Sequence, residues 1–146
     1  MTAEKSKNLP GPSIKAAWND VKQGNFDEAL RRAGNVSRNS RDYVESRLIL
    51  ARVAWLQGFT MAAMVILDEA AAKHPDSSRI LTDLAVLQLN DEQADKALGT
   101  LDKAAENSFF LPEAEIARYA ALRRLGKKEQ AREILKSLYD KMLIES

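Results

Sequence analysis

A residue pattern that returns every 34 positions without a gap constrains this chain more than any other feature. Ala29, Ala63, Ala97 and Ala131 mark the period, and Gly24, Gly58, Glu92 and Gly126 stand five residues before them. Four residues after each alanine come Ala33, Leu67, Leu101 and Leu135, and seven after it come Val36, Ala70, Ala104 and Leu138. Small or apolar side chains at i, i+4 and i+7 form the buried face of a helix. A second stripe lies upstream of each glycine position: Ala16 and Ala17, Leu50 and Ala51, Leu84 and Ala85, with Arg118 and Tyr119 at the same place in the fourth repeat. Each repeat therefore predicts two antiparallel helices joined by a tight turn, where glycine reaches left-handed backbone angles without a Cβ clash. One such pair cannot bury its apolar face alone, so the pairs must stack.

Local signals place the borders. Helices are expected over 13–23, 26–36, 42–57, 61–73, 78–90, 93–107, 112–125 and 127–144. Asn25 and Thr60 stand where capping side chains belong, Pro75 stops a helix, and Ser77 opens the next. Pro112 suits a first helical turn, and Glu113 and Glu115 behind it complement the positive end of the helix dipole. The expected organisation is one domain over 13–146, in repeat units of about 10–43, 44–77, 78–111 and 112–145. A flexible tail, 1–12, precedes it, since Lys, Ser, Asn, Gly and Pro there form no apolar run.

The 34-residue pitch, the Leu-Ala pair of the first helix, Gly-x-x-x-x-Ala across the turn and the terminal proline together resemble the tetratricopeptide repeat. The best match is 44–77, with Leu50, Ala51, Gly58, Ala63, Leu67, Ala70 and Pro75 in family register. The family's aromatic early in the first helix is replaced by Ser13, Arg47, Leu81 and Glu115, its turn glycine by Glu92, and Pro75 alone keeps the proline. The resemblance implies an all-α, right-handed α-solenoid of antiparallel helix pairs, about eight helices, that holds another protein.

In this family the first helices line the concave face. Projected onto that register, the groove takes Ile14, Trp18 and Val21 from the first repeat and Leu48, Arg52 and Trp55 from the second. Thr82, Val86 and Leu89 follow from the third, then Ile116, Arg123 and Arg124 from the fourth. An apolar and aromatic floor with a basic end suits an amphipathic helix or an extended apolar peptide carrying acidic groups. Trp18 and Trp55 are the two tryptophans of the chain; each is either a binding anchor or a core residue between the first two repeats. The implied function is a protein-interaction scaffold, adaptor or chaperone, with an assembly factor for a bacterial secretion or envelope complex as family analogy.

The ends of the stack supply the alternative. Arg118, standing where earlier repeats have leucine, is expected to meet water. Arg123, Arg124, Lys127 and Lys128 form a basic run that is either a solvated face or a partner contact. The last helix carries Leu138, Tyr139, Met142 and Leu143, a stripe wider than one neighbouring helix requires, which points to a homo-oligomer or to a partner docking there.

Composition removes other classes. Lys and Arg number 22 against 21 Asp and Glu, and a net charge of +1 supplies no field to attract nucleic acid or an anionic membrane. Related helical arrays that read RNA use a different period and polar code residues, so RNA binding is the weaker reading. Cysteine is absent, which removes thiolate metal sites and cysteine nucleophiles and suits a reducing, cytoplasmic address. The lone His74 adjoins Pro75 in a linker, a poor setting for a general base, and no Walker loop or dinucleotide-binding glycine pattern occurs. The expectation is a non-enzyme without cofactor or metal. No stretch approaches the length of uncharged apolar residues needed to enter a membrane.

Overall fold

The computed structural model describes residues 12–106 and 111–145. Among these it has eight helices and no strand: α1 (Pro12–Gln23), α2 (Phe26–Gly34), α3 (Tyr43–Leu56), α4 (Thr60–Lys73), α5 (Ser78–Asn90), α6 (Ala94–Ala105), α7 (Pro112–Arg124) and α8 (Lys128–Glu145). The expected tail lies outside the described residues except for Pro12, which opens α1. Residue 107, expected to end the sixth helix, also lies outside them. The architecture is an all-α solenoid of helix pairs.

The turn inside each pair is the same four times, and backbone builds it. Gly24, Gly58 and Gly126 have φ of 79°, 90° and 77°, and Glu92 takes the same left-handed conformation at φ 59°. The residue after each donates its N–H five residues back: Asn25 to Asp20, Phe59 to Ala54, Gln93 to Gln88 and Lys127 to Leu122, at 2.8, 2.8, 2.8 and 2.9 Å. The left-handed residues themselves donate to Val21, Trp55, Leu89 and Arg123. This paired pattern satisfies the last carbonyls of the first helix. It also corrects two expected caps. Asn25 sits at a helix start without a side-chain cap bond, and Thr60 lies inside α4, whose cap position is Phe59. Ser77 does cap, its Oγ accepting from the Ile80 N–H at 3.4 Å.

The chain divides into two compact units between His74 and Pro75. In the first, α1 packs on α2, α3 on α4, and α3 also on α1 and α2. Ile14, Ala17, Ala29, Ala33, Ile49 and Val53 form its core, with Trp18, Val21 and Leu50 packed against it. In the second, α5, α6, α7 and α8 repeat the same neighbour pattern. Its core contains Ala85, Leu89, Ala97, Leu101, Ala117 and Ala121. Each interior thus joins the small-residue columns of two successive pairs, as the period requires. Removing a buried leucine here forfeits transfer energy and leaves a cavity, about 2–5 kcal/mol together.

Arg118 does not face water as expected. It reaches back from α7 to α6, with Nη1 2.7 Å from Asp102 Oδ1 and Nη2 donating to the Leu101 carbonyl at 3.1 Å. A long side chain in place of leucine here joins one helix pair to the next.

Candidate functional site

Half-buried residues on the first helices of the first unit meet through specific contacts. Trp18, on α1, keeps its ring against the core while its indole Nε1–H donates to Glu45 Oε2 on α3 at 2.8 Å. Arg52, two turns beyond Glu45 on the same face of α3, holds its guanidinium carbon 6.0 Å from the Trp18 ring centroid. Trp55 follows one turn later and is also half-buried, as is Val21. An indole with its N–H satisfied and its ring fixed between core and guanidinium presents apolar surface at little entropic cost, the quality that makes tryptophan a binding anchor.

Four groove assignments, Ile14, Leu48, Thr82 and Leu89, are corrected. Leu48 is 1 % exposed and Leu89 is 5 % exposed, so both side chains belong to the interior. The reason is visible one repeat earlier: Ile14 stands in the Leu48 column and is covered by Ile49 and Val53 of the following first helix. Thr82, in the same column, is buried too, and its hydroxyl donates to the Ser78 carbonyl at 2.7 Å. Ile116, the fourth member, is 55 % exposed.

In the second unit Val86 is half-buried against the core, and Ile116, Arg123 and Arg124 reach the surface. Arg124 donates to the Leu89 carbonyl, tying the end of α7 to the end of α5. Beside it a depression of about 580 Å³ is lined by Leu89, Asn90, Glu92, Asp95 and Leu125 among others. Arg123 donates to the Tyr119 hydroxyl at 3.1 Å and lies over its ring. Half of the basic run therefore has structural partners. His74 stacks against Tyr43 at 5.6 Å between centroids. Among the described residues, no three His, Cys, Asp or Glu side chains are placed to hold a metal ion. None of the described helices is long and apolar enough to cross a membrane.

In the first unit a second depression, about 410 Å³, is lined by Gly24, Phe26, Asp27, Glu28 and Gln57 among others. At its edge Arg31 Nη2 lies 2.7 Å from Glu28 Oε2. Their hydrogen bond, aided by the opposite charges, holds the Glu28 carboxyl below its usual range and Arg31 above its own. The stabilisation is present at neutral pH and is lost as pH falls through the lowered Glu28 value; between two exposed groups it is small.

Residues 14–63, spanning α1 to the start of α4, match the family model of the tetratricopeptide repeat. Solved structures with a similar fold align with most of the chain. A thermophilic TPR protein of Thermus thermophilus aligns with 96 % of this chain and 84 % of its own, at TM-score 0.65 and 16 % identity. The chain has the fold of tandem tetratricopeptide repeats, and within it residues 14–63 resemble the family in sequence. Crystal structures of the protein MamA share their fold: one aligns with 91 % of this chain and 78 % of its own at TM-score 0.75 and 16 % identity. Another aligns with 86 % and 72 % at TM-score 0.66 and 22 % identity. No curated protein sequence matches the chain.

Comparing the four repeats column by column exposes residues that periodicity alone passes over. The outward positions of the second helix are Asp27, Asp95 and Glu129 in three repeats but Met61 in the second. They are Arg31, Gly99 and Glu133 but Val65 one turn on. The turn position is Asn25, Gln93 and Lys127 but Phe59. Met61 and Val65 are 65 % and 52 % exposed, and Phe59 and Leu56 beside them are exposed as well.

Proposed function

We propose that this tetratricopeptide-repeat chain is a protein-interaction scaffold that holds an apolar or amphipathic segment of a partner against its first-helix faces. The observation that carries the reading is the preorganised Trp18, with its N–H on Glu45 and Arg52 over its ring, and the half-buried Trp55 on the same helix as those two partners. Within the first unit Val21 adds apolar surface to these, and the first helices of the second unit offer Val86 and Ile116 as apolar contacts and Arg123 and Arg124 for acidic groups of the segment. The four repeats act as one domain in this reading, in the cytoplasm, as an adaptor or chaperone for assembly of a larger complex such as a secretion or envelope system.

Affinity capture from source lysate with wild type and a Trp55→Ala variant tests it. Truncating an anchor of this kind costs about 2 kcal/mol, roughly 30-fold in Kd, so the principal partner disappears from the variant's eluate and returns with Trp55→Phe. Full retention of the partners by Trp55→Ala contradicts the reading.

A second reading is favoured by α8. Leu135, Tyr139, Met142 and Leu143 are exposed on this helix and Leu138 is half-buried. In three earlier repeats the Leu135 column, Ala33, Leu67 and Leu101, is buried. A second copy covering that stripe makes the chain a self-associating module.

A further inference from the structure

Resting on the self-association reading, we infer that the stripe on α8 of one copy docks on the outward face of α4 of another. The two faces are unlike and match along their length. On α4, Met61, Val65 and Ala72 share a face with Asp68 and Glu69, all exposed, so its start is apolar and its second half acidic. On α8, Lys128, Arg132, Leu135, Tyr139 and Met142 share a face, with Lys136 at its edge, and these too are exposed. Here the start is basic and the second half apolar. Laid antiparallel, Tyr139 and Met142 meet Met61 and Val65, and Arg132 and Lys136 meet Asp68 and Glu69. In each helix one to two turns, at about 5 Å per turn, separate the apolar group from the charges, so both contacts form together.

The other arrangements fit less well. Stacking α8 on the first helix of another copy fails because α1 presents exposed Lys15 and Asn19 where α3 buries Ile49 and Val53. Pairing α8 with α8 leaves the α4 patch uncovered. An anionic membrane is repelled by Asp68 and Glu69 on the patch itself. Contact between two different surfaces is heterologous, so an open assembly keeps one free surface of each kind until a ring closes.

Sedimentation velocity over a concentration series tests the inference with two variants. Met61→Asp with Val65→Glu removes the patch using residue types that other repeats carry in the same columns, so the fold tolerates them; Tyr139→Ser with Met142→Lys removes the stripe on an exposed helix face. Unchanged far-ultraviolet circular dichroism verifies folding. The expected result is concentration-dependent association of wild type, weakened roughly tenfold or more in each variant alone. An equimolar mixture of the two forms a one-to-one heterodimer and nothing larger, because each variant lacks a different surface. Wild type that stays monomeric throughout overturns both the inference and the self-association reading. Loss of association in the stripe variant alone, with the patch variant behaving as wild type, overturns the inference and leaves that reading standing. So does a mixture that yields no heterodimer.

Discussion

Leu101→Ala lowers stability by about 2–5 kcal/mol, while Leu135→Ala, the same change one repeat later, costs less than about 1 kcal/mol, as exposed sites do. Both occupy one column of the second helix. Leu101 is 1 % exposed, between α6 and α7, packed with Ala97, Ala117 and Ala121. Leu135 is 48 % exposed on α8. Urea unfolding at low protein concentration reads the difference directly as a shift in midpoint. Equal losses would show that Leu135 is covered in solution, and the stripe on α8 would then no longer be an open surface.

Ala97→Leu is the second large effect. Ala97 is fully buried, and its neighbours Ala85, Ala117 and Ala121 are buried alanines that let three helices approach closely. Extra methylene groups crowd this packing, so the change costs about 1–3 kcal/mol through strained rotamers and shifted backbone. Gly99→Ala, two residues further along α6, has the opposite sign. A Cβ there meets nothing within 4 Å, and Gly99 lies inside Ala94–Ala105. Replacing it stabilises by roughly 0.5–1 kcal/mol, the ordinary helical penalty of glycine. Thermal unfolding of the two variants should move in opposite directions from wild type. If Ala97→Leu leaves the midpoint unchanged, the alanine column does not set the helix spacing.

The period was legible in the sequence because it reports a local rule applied four times. Ala29, Ala63, Ala97 and Ala131 are all fully buried, and the turn forms with glutamate at 92 as it does with glycine at 24, 58 and 126. Capping was less legible: the turn's backbone bonds satisfy the carbonyls that end the first helix, while Asn25 makes no side-chain cap bond and Thr60 lies inside α4. Leu48 and Leu89 escaped for a different reason. A first helix inside a stack is covered by its own partner and by the neighbouring pair, so its apolar stripe is too broad for periodicity to separate lining from core. Arg118 depended on the reach of a long side chain to Asp102, sixteen residues away in sequence. The patch of Phe59, Met61 and Val65 was present in the sequence, but only a comparison of outward columns across repeats reveals it. Periodicity describes the face a helix buries, and that patch lies on the face it does not.

A partner segment held against the first-helix faces meets Trp18 on α1 and Trp55 on α3, the two tryptophans of the chain, so their fluorescence reports its binding. Titration of a captured partner segment into wild type should shift the emission to shorter wavelength as Trp55 and Trp18 leave water, and Trp55→Phe should remove most of the shift. Saturated binding with no change in tryptophan emission would place the partner elsewhere on the molecule and rule out the first-helix faces as its seat.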